Sequence, residues 1–222
     1  MDLIVFALAP IFTVIVYIYL KDKYEKEPTG LLFVSFLLGA VVSIIITTLL
    51  YSVFHVVAPL TNGLSVLQQF VQAFFVVGFS EELSKYLIVL LFAQRRVAFN
   101  EPFDGIVYAV MVSMGFAATE NIMYVLESGP STALLRAFTA VPAHATFGIL
   151  MGYFMGKAKF SNNRIKLNLA GLLLAILFHG TYDFFLFIDF IPGIWVGAFI
   201  SLFIGVFLSE KSHTKTSNGV SF

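Results

Sequence analysis

The chain of 222 residues is 59% hydrophobic and only 12% charged, with 13 basic and 13 acidic side chains. A soluble domain carries about 25% charged residues, so this balance points to a polytopic membrane protein. Zero net charge excludes a broad basic field for nucleic acid, and the absence of cysteine excludes disulfides, thiolate nucleophiles, iron–sulfur clusters and cysteine-ligated zinc.

A membrane span needs about 20 mostly apolar residues. Residues 2–20 supply the first; they begin with an acid and run too long for a signal-peptide core, so the segment reads as a retained span. Six more follow, at roughly 30–54, 65–93, 105–126, 132–155, 167–187 and 191–208. The expected fold is therefore an all-α transmembrane bundle of about seven spans, one domain over residues 1–208 with a polar, frayed tail at 209–222. Four polar connectors contain KDKYEKEPTG, QRRVAFNEPFD, ESGPS and KAKFSNNRIK. Pro28, Pro102 and Pro130 mark helix boundaries in three of them, and Asp104 is an N-cap candidate for the fourth span.

Basic residues alternate between connectors. Lys21, Lys23 and Lys26 lie in the first, Arg95 and Arg96 in the third, Lys157, Lys159, Arg164 and Lys166 in the fifth, and Lys211 and Lys215 in the tail. Residues 55–64 and 188–190 carry none, and the fourth connector has only Arg136 at its edge. This positive-inside pattern predicts an outer N-terminus and a cytoplasmic C-terminus.

Ionisable residues interrupt four spans: Glu81, Glu82 and Lys85 in the third, Glu120 beside Asn121 in the fourth, His144 in the fifth, and His179 with Asp183 in the sixth. A central Asp or Lys costs about 2.5–3.5 kcal/mol on insertion, so such groups face a bundle interior or wet cavity and find partners there. At 1.5 Å rise per residue, Glu81, Glu82, His144 and His179 lie roughly 18–20 Å from the cytoplasmic ends, and Glu120 and Asp183 roughly 24–26 Å. Antiparallel spans thus bring them to neighbouring levels. His179 and Asp183 share a face with Gly171 and Ala175, while Ala140, His144, Gly148, Gly152 and Gly156 repeat every four residues, so the histidines lie on packing faces.

Each feature has a structural reading: Glu81 and Lys85 as a self-neutralising i,i+4 pair, the histidines as satisfied core residues, the glycines as packing. Together, carboxylates and imidazoles at one depth make a general acid–base set. Glu81 and Glu82 point about 100° apart, so they serve different tasks. HExxH, nucleophilic-serine and P-loop motifs are absent from the sequence; two histidines and a glutamate can still ligate zinc.

EELSK, FDGIVYA leading into GFAATEN, HATFGILMGYFMGKA and HGTYDF, preceded by KDKYEKEP, resemble the PrsW family of bacterial membrane proteases over about residues 17–187. The resemblance implies a glutamate-dependent intramembrane endopeptidase of a wider group that includes the type II CAAX prenyl endopeptidases and a scaffold subunit of gamma-secretase. It implies catalytic Glu81, Glu82, His144 and His179, with either glutamate as water activator. Supporting places fall to Lys85, where relatives carry arginine, to Glu120 and Asn121, and to Asp183, in the place of an oxyanion-side asparagine. Glu120 departs from the histidine that CAAX relatives place after Phe116 and three further residues. No metal or other cofactor is expected, although zinc stays open. The implied setting is a multi-pass protein of the bacterial cell membrane, and the implied partner is a single-span substrate such as an anti-sigma factor, cut first at its outer side in a stress response. The alternatives are a non-catalytic scaffold or receptor subunit, and an ion-coupled transporter.

Overall fold

The computed structural model describes residues 2–22, 25–57 and 59–217, with side chains from Leu3 to Leu208. Lys23 and the side chains of Lys211 and Lys215, used in the orientation reading, lie outside the described residues. Among the described residues the chain is helical, with no strand.

We number eight helices: α1 (Asp2–Lys21), α2 (Thr29–Val57), α3 (66–91), α4 (Pro102–Ser128), α5 (Pro130–Phe138), α6 (Ala140–Lys159), α7 (Arg164–Phe187) and α8 (Val196–Ser217). Five stretches are long and apolar enough to cross a membrane: α1 (counted from Leu3), α2, α4, α5 with α6 (Pro130–Lys159), and α7. The third expected span is a continuous helix, but its central charges keep it out of that apolar set. The seventh shortens to the apolar stretch Val196–Leu208, because Ile188–Trp195 form turns; its helix then runs on through Ser217, beyond the expected tail boundary.

Local chemistry sets the ends. Pro102 and Pro130 open α4 and α5 at the first helical turn, where a missing N–H costs nothing. Asp104 caps α4, but from its third position rather than as the N-cap: its Oδ2 accepts from the backbone N–H of Asn100 at 2.7 Å and Glu101 at 2.8 Å. The N-cap residue is Glu101. Three irregularities matter for the site. α2 contains a π turn at Leu38–Ser43, α3 contains one at Gln72–Gly78, and the expected fifth span breaks at Thr139 into α5 and α6.

α4 is the central post. Every residue from Phe103 to Ala118 is buried, as a helix surrounded by neighbours requires. Its closest partner is α6: a Cβ on Gly152 would lie 2.7 Å from Ile106 Cα, so only glycine lets these backbones meet. The outward sides of α1 and α2 expose Phe6, Phe12, Phe33, Val41 and Leu49, the apolar surface that lipid accepts. The first half of α2 packs on α4, whereas Ile44–Val57 packs on α3.

Candidate active site

The site residues come from α2, α3, α4, α5, α6 and α7. On α3 the π turn ends at Gly78, immediately before the helical stretch that carries Glu81, Glu82 and Lys85. A Cβ on Gly78 would lie only 3.2 Å from Gly180 N, so the two glycines let α3 press on α7 beside His179.

Glu82 is wholly buried and Lys85 is 1% exposed. The Lys85 ammonium donates to Glu82 Oε1 at 2.8 Å and to Glu81 Oε2 at 3.4 Å. The expected pair of Glu81 with Lys85 is thus the longer of two contacts. Glu82 Oε1 also receives His179 Nδ1 at 2.8 Å, while Glu82 Oε2 is buried with no hydrogen-bond partner among the described residues. His179 Nε2 lies 3.2 Å from Asp183 Oδ2 and 3.9 Å from Glu81 Oε2. Nδ1 therefore donates to Glu82, and Nε2 faces the Asp183 carboxylate at ion-pair distance. Phe147 stacks on this imidazole with centroids 4.9 Å apart, fixing its plane.

Glu81 has a different setting. Its Oε1 accepts a 2.8 Å bond from the Tyr51 hydroxyl, and among the described residues its Oε2 has the two longer approaches from Lys85 and His179. Behind it, Ser84 Oγ donates to Glu81 O at 2.7 Å and meets Ser43 and Thr47 of α2.

A second branch joins at His144. Its Nδ1 lies 3.3 Å from Lys85 Nζ, which can only donate, so Nδ1 accepts and the Nε2–H donates to Glu120 Oε2 at 2.8 Å. Glu120 Oε2 also receives Arg136 at 2.6 Å, and the same guanidinium donates to Asn121 Oδ1 at 2.5 Å. Asn121 in turn donates to Ala7 O, which ties α1 to the site. Lys85 completes the junction by lying 4.1 Å from the Phe116 ring centroid.

A cavity of about 620 Å³ reaches this network. Glu81, Glu120, His144, His179 and Asp183 line it; Glu82 and Lys85 do not. Glu127, Leu135 and Leu186 also line it, so it lies toward the end of the bundle that the basic-residue pattern assigns to the outer side.

All eight residues singled out in the sequence are joined in this network. Two partners were missed. Tyr51 was signalled by a four-residue polar period in an apolar span, Ser43, Thr47 and Tyr51. Arg136 was signalled by being the single basic residue of its connector, and it answers a half-buried glutamate with no basic partner on its own helix.

The PrsW family, described as intramembrane metalloprotease, matches residues 27–209. The chain belongs to the PrsW family. Three relatives, each named Protease PrsW, are similar over most of their lengths. The protein of Geobacillus kaustophilus is 36% identical over 200 residues, covering 90% of this chain and 86% of its own. That of Oceanobacillus iheyensis is 39% identical over 180 residues, covering 81% and 80%. That of Bacillus subtilis is 36% identical over 181 residues, covering 81% and 80%. No solved structure matches. This PrsW-family chain is a membrane-embedded, multi-pass peptidase.

The family description implies a metal, and two donor sets are near enough to be tested against it. Glu81, Glu82 and His179 form one, and Glu81, Glu120 and His144 the other, each with ligand atoms within 4.8 Å of one another. Imidazole and carboxylate are suitable zinc donors in kind. The arrangement does not fit a dication, because a buried ammonium already stands among these donors: Lys85 contacts Glu81, Glu82 and His144. A second cation there would stand beside that ammonium, and like charges so close repel.

Proposed function

We propose that this protease hydrolyses single-span membrane proteins with water activated by Glu81, without a metal. The observation that carries the reading is the division of labour between adjacent glutamates. Glu81 lines the cavity and leaves Oε2 loosely held, whereas Glu82 is sealed behind it against Lys85 and His179.

In this reading a water approaches Glu81 Oε2 and gives it a proton as its oxygen bonds to the scissile carbonyl carbon. The carbonyl oxygen becomes an oxyanion that the His179 Nε2–H stabilises. Glu81 then returns the proton to the amide nitrogen as the C–N bond breaks, releasing a carboxylic acid and an amine. Asp183 and Glu82 hold the His179 ring from opposite nitrogens. Lys85 holds Glu82 and the neutral His144 in place, and Glu120 with Arg136 locks His144 from the other side.

The setting we assign is the bacterial cell membrane, with the N-terminus outside. The substrate class is a single-span protein of the anti-sigma-factor kind, cut toward its outer end. The cavity's position and the alternating basic connectors support that side. The test is co-expression with a panel of tagged single-span proteins and terminal sequencing of the fragments. Cuts in the outer third of a span, absent with Glu81→Gln, are expected. Cuts only on the cytoplasmic side would overturn the assigned side, and an absence of any product across the panel would favour a scaffold.

A further inference from the structure

Tyr51 lies outside the acid–base set that the sequence announces, yet its hydroxyl is the single short hydrogen bond that the Glu81 carboxylate receives among the described residues. The geometry of α2 explains how it arrives there. Ser43, Thr47 and Tyr51 are spaced four apart and share one helix face. Ser43 Oγ lies 2.5 Å from Ser84 Oγ, Thr47 donates to the same atom at 3.0 Å, and Tyr51 reaches Glu81 one turn further along. The π turn Leu38–Ser43 ends at the first residue of this stripe. The extra residue in a π turn changes which face the following helix presents, and here the second half of α2 turns to α3.

Tyr51 also stands in a wall. A second cavity of about 590 Å³, lined by Ser52, His55, Leu60 and Val76, adjoins the catalytic one. Thr48, Tyr51 and Gln72 line both.

We infer that Tyr51 is a positioning residue for the hydrolysis assigned to Glu81, an inference that rests on that reading. The terminal torsion of a glutamate is broad and poorly fixed by its own rotamer preference, so the carboxyl plane needs an outside restraint. The Tyr51 O–H supplies it by engaging Oε1, which leaves Oε2 as the oxygen that faces the water. The aromatic ring keeps the carboxylate from swinging into the adjoining cavity. The phenol itself does not touch the reacting carbonyl.

The test uses the purified full-length protein in liposomes with one cleavable single-span substrate, comparing wild type, Tyr51→Phe, Tyr51→Leu and Glu81→Gln. Tyr51→Phe keeps the wall and removes one hydroxyl. It is expected to lower kcat by roughly 10–100-fold, the scale of a small misplacement of a reacting group. KM should stay within about twofold, because the variant removes alignment rather than substrate binding. Tyr51→Leu should lose kcat by at least as much. Thermal unfolding in detergent separates misfolding from misalignment, and Tyr51→Phe should melt with the wild type. A Tyr51→Phe enzyme with wild-type kcat, a loss confined to KM, or a loss that tracks a lowered melting temperature overturns the inference. A Glu81→Gln enzyme that cleaves at the wild-type rate defeats the water-activation reading itself, whichever way Tyr51→Phe behaves.

Discussion

Glu82 Oε1 lies 2.8 Å from Lys85 Nζ, and this ion pair is sealed behind Glu81 rather than exposed to the cavity. The two adjacent glutamates therefore differ in what their loss should do. Glu82→Gln takes from Lys85 the shorter of its two carboxylate contacts and leaves the 3.4 Å one to Glu81; breaking a buried pair costs about 3–5 kcal/mol. Glu82→Gln should lower thermal stability in detergent on that scale, with activity lost alongside folding. Glu81→Gln should melt near the wild type and still lose turnover. Melting curves paired with cleavage rates for both variants check the distinction.

Arg136 gives a second prediction. Its guanidinium bridges the half-buried Glu120 and the buried Asn121, so Arg136→Met removes two hydrogen bonds and leaves Glu120 the one from His144 among the described residues. Hydrogen bonds involving charged groups contribute about 1.5–3 kcal/mol each. A destabilisation of about that size is expected for Arg136→Met, with Arg136→Lys intermediate because an ammonium cannot reproduce the fork. Detergent unfolding of the two variants measures the order.

The α4–α6 contact gives a third. Gly152→Ala would place a methyl 2.7 Å from Ile106 Cα and 2.8 Å from Gly105 C, both backbone atoms that cannot swing aside. Overpacking of this kind costs about 1–3 kcal/mol, and more where backbone must move. Because α6 carries His144 and α4 carries Glu120, activity should fall with stability, in contrast to Gly30→Ala, whose added methyl meets nothing within 4 Å.

The loop end of the bundle gives a pH prediction. Burial pushes the Glu101 carboxyl up to about 7, helped by the charges of Asp104, Asp22 and Glu25. Burial likewise raises Glu27, which accepts from the Tyr108 hydroxyl. A carboxyl whose folded pKa exceeds its unfolded value binds its proton more tightly when folded. Its contribution to stability is therefore whole below the unfolded value near 4.5 and is lost as pH rises through about 7. The protein should melt at higher temperature at pH 5 than at pH 8, and Glu101→Gln should flatten that slope by raising the pH 8 value. An unchanged slope in Glu101→Gln would assign the effect elsewhere.

Much of this site is legible in the sequence, and for a physical reason. Lipid makes each buried charge expensive, so Glu81, Glu82, Lys85, Glu120, His144, His179 and Asp183 stand out against an apolar background and must find one another. Helical rise then fixes their level. Helix irregularity was harder to read: the π turns at Leu38–Ser43 and Gln72–Gly78 contain no proline, whereas the break at Thr139 had a signal in Pro142, three residues on, that the span boundaries passed over. Those irregularities decide which faces meet, so Tyr51 and Arg136 could not be assigned to Glu81 and Glu120 from spacing alone. Asp104 shows the same limit on a small scale. Its residue type announced a cap, but only the backbone places it three positions inside the helix end.

The account's central claim is that Glu81 activates water beside an ammonium instead of a metal. It is tested most directly by cleavage of a single-span substrate in liposomes, comparing wild type with Glu81→Gln, each with and without a zinc chelator. The account predicts chelator-insensitive cleavage by the wild type and a loss of at least about 10²-fold in Glu81→Gln, the low end for general acid–base catalysis. Cleavage abolished by the chelator and restored by zinc, or a Glu81→Gln enzyme as fast as the wild type, would contradict it.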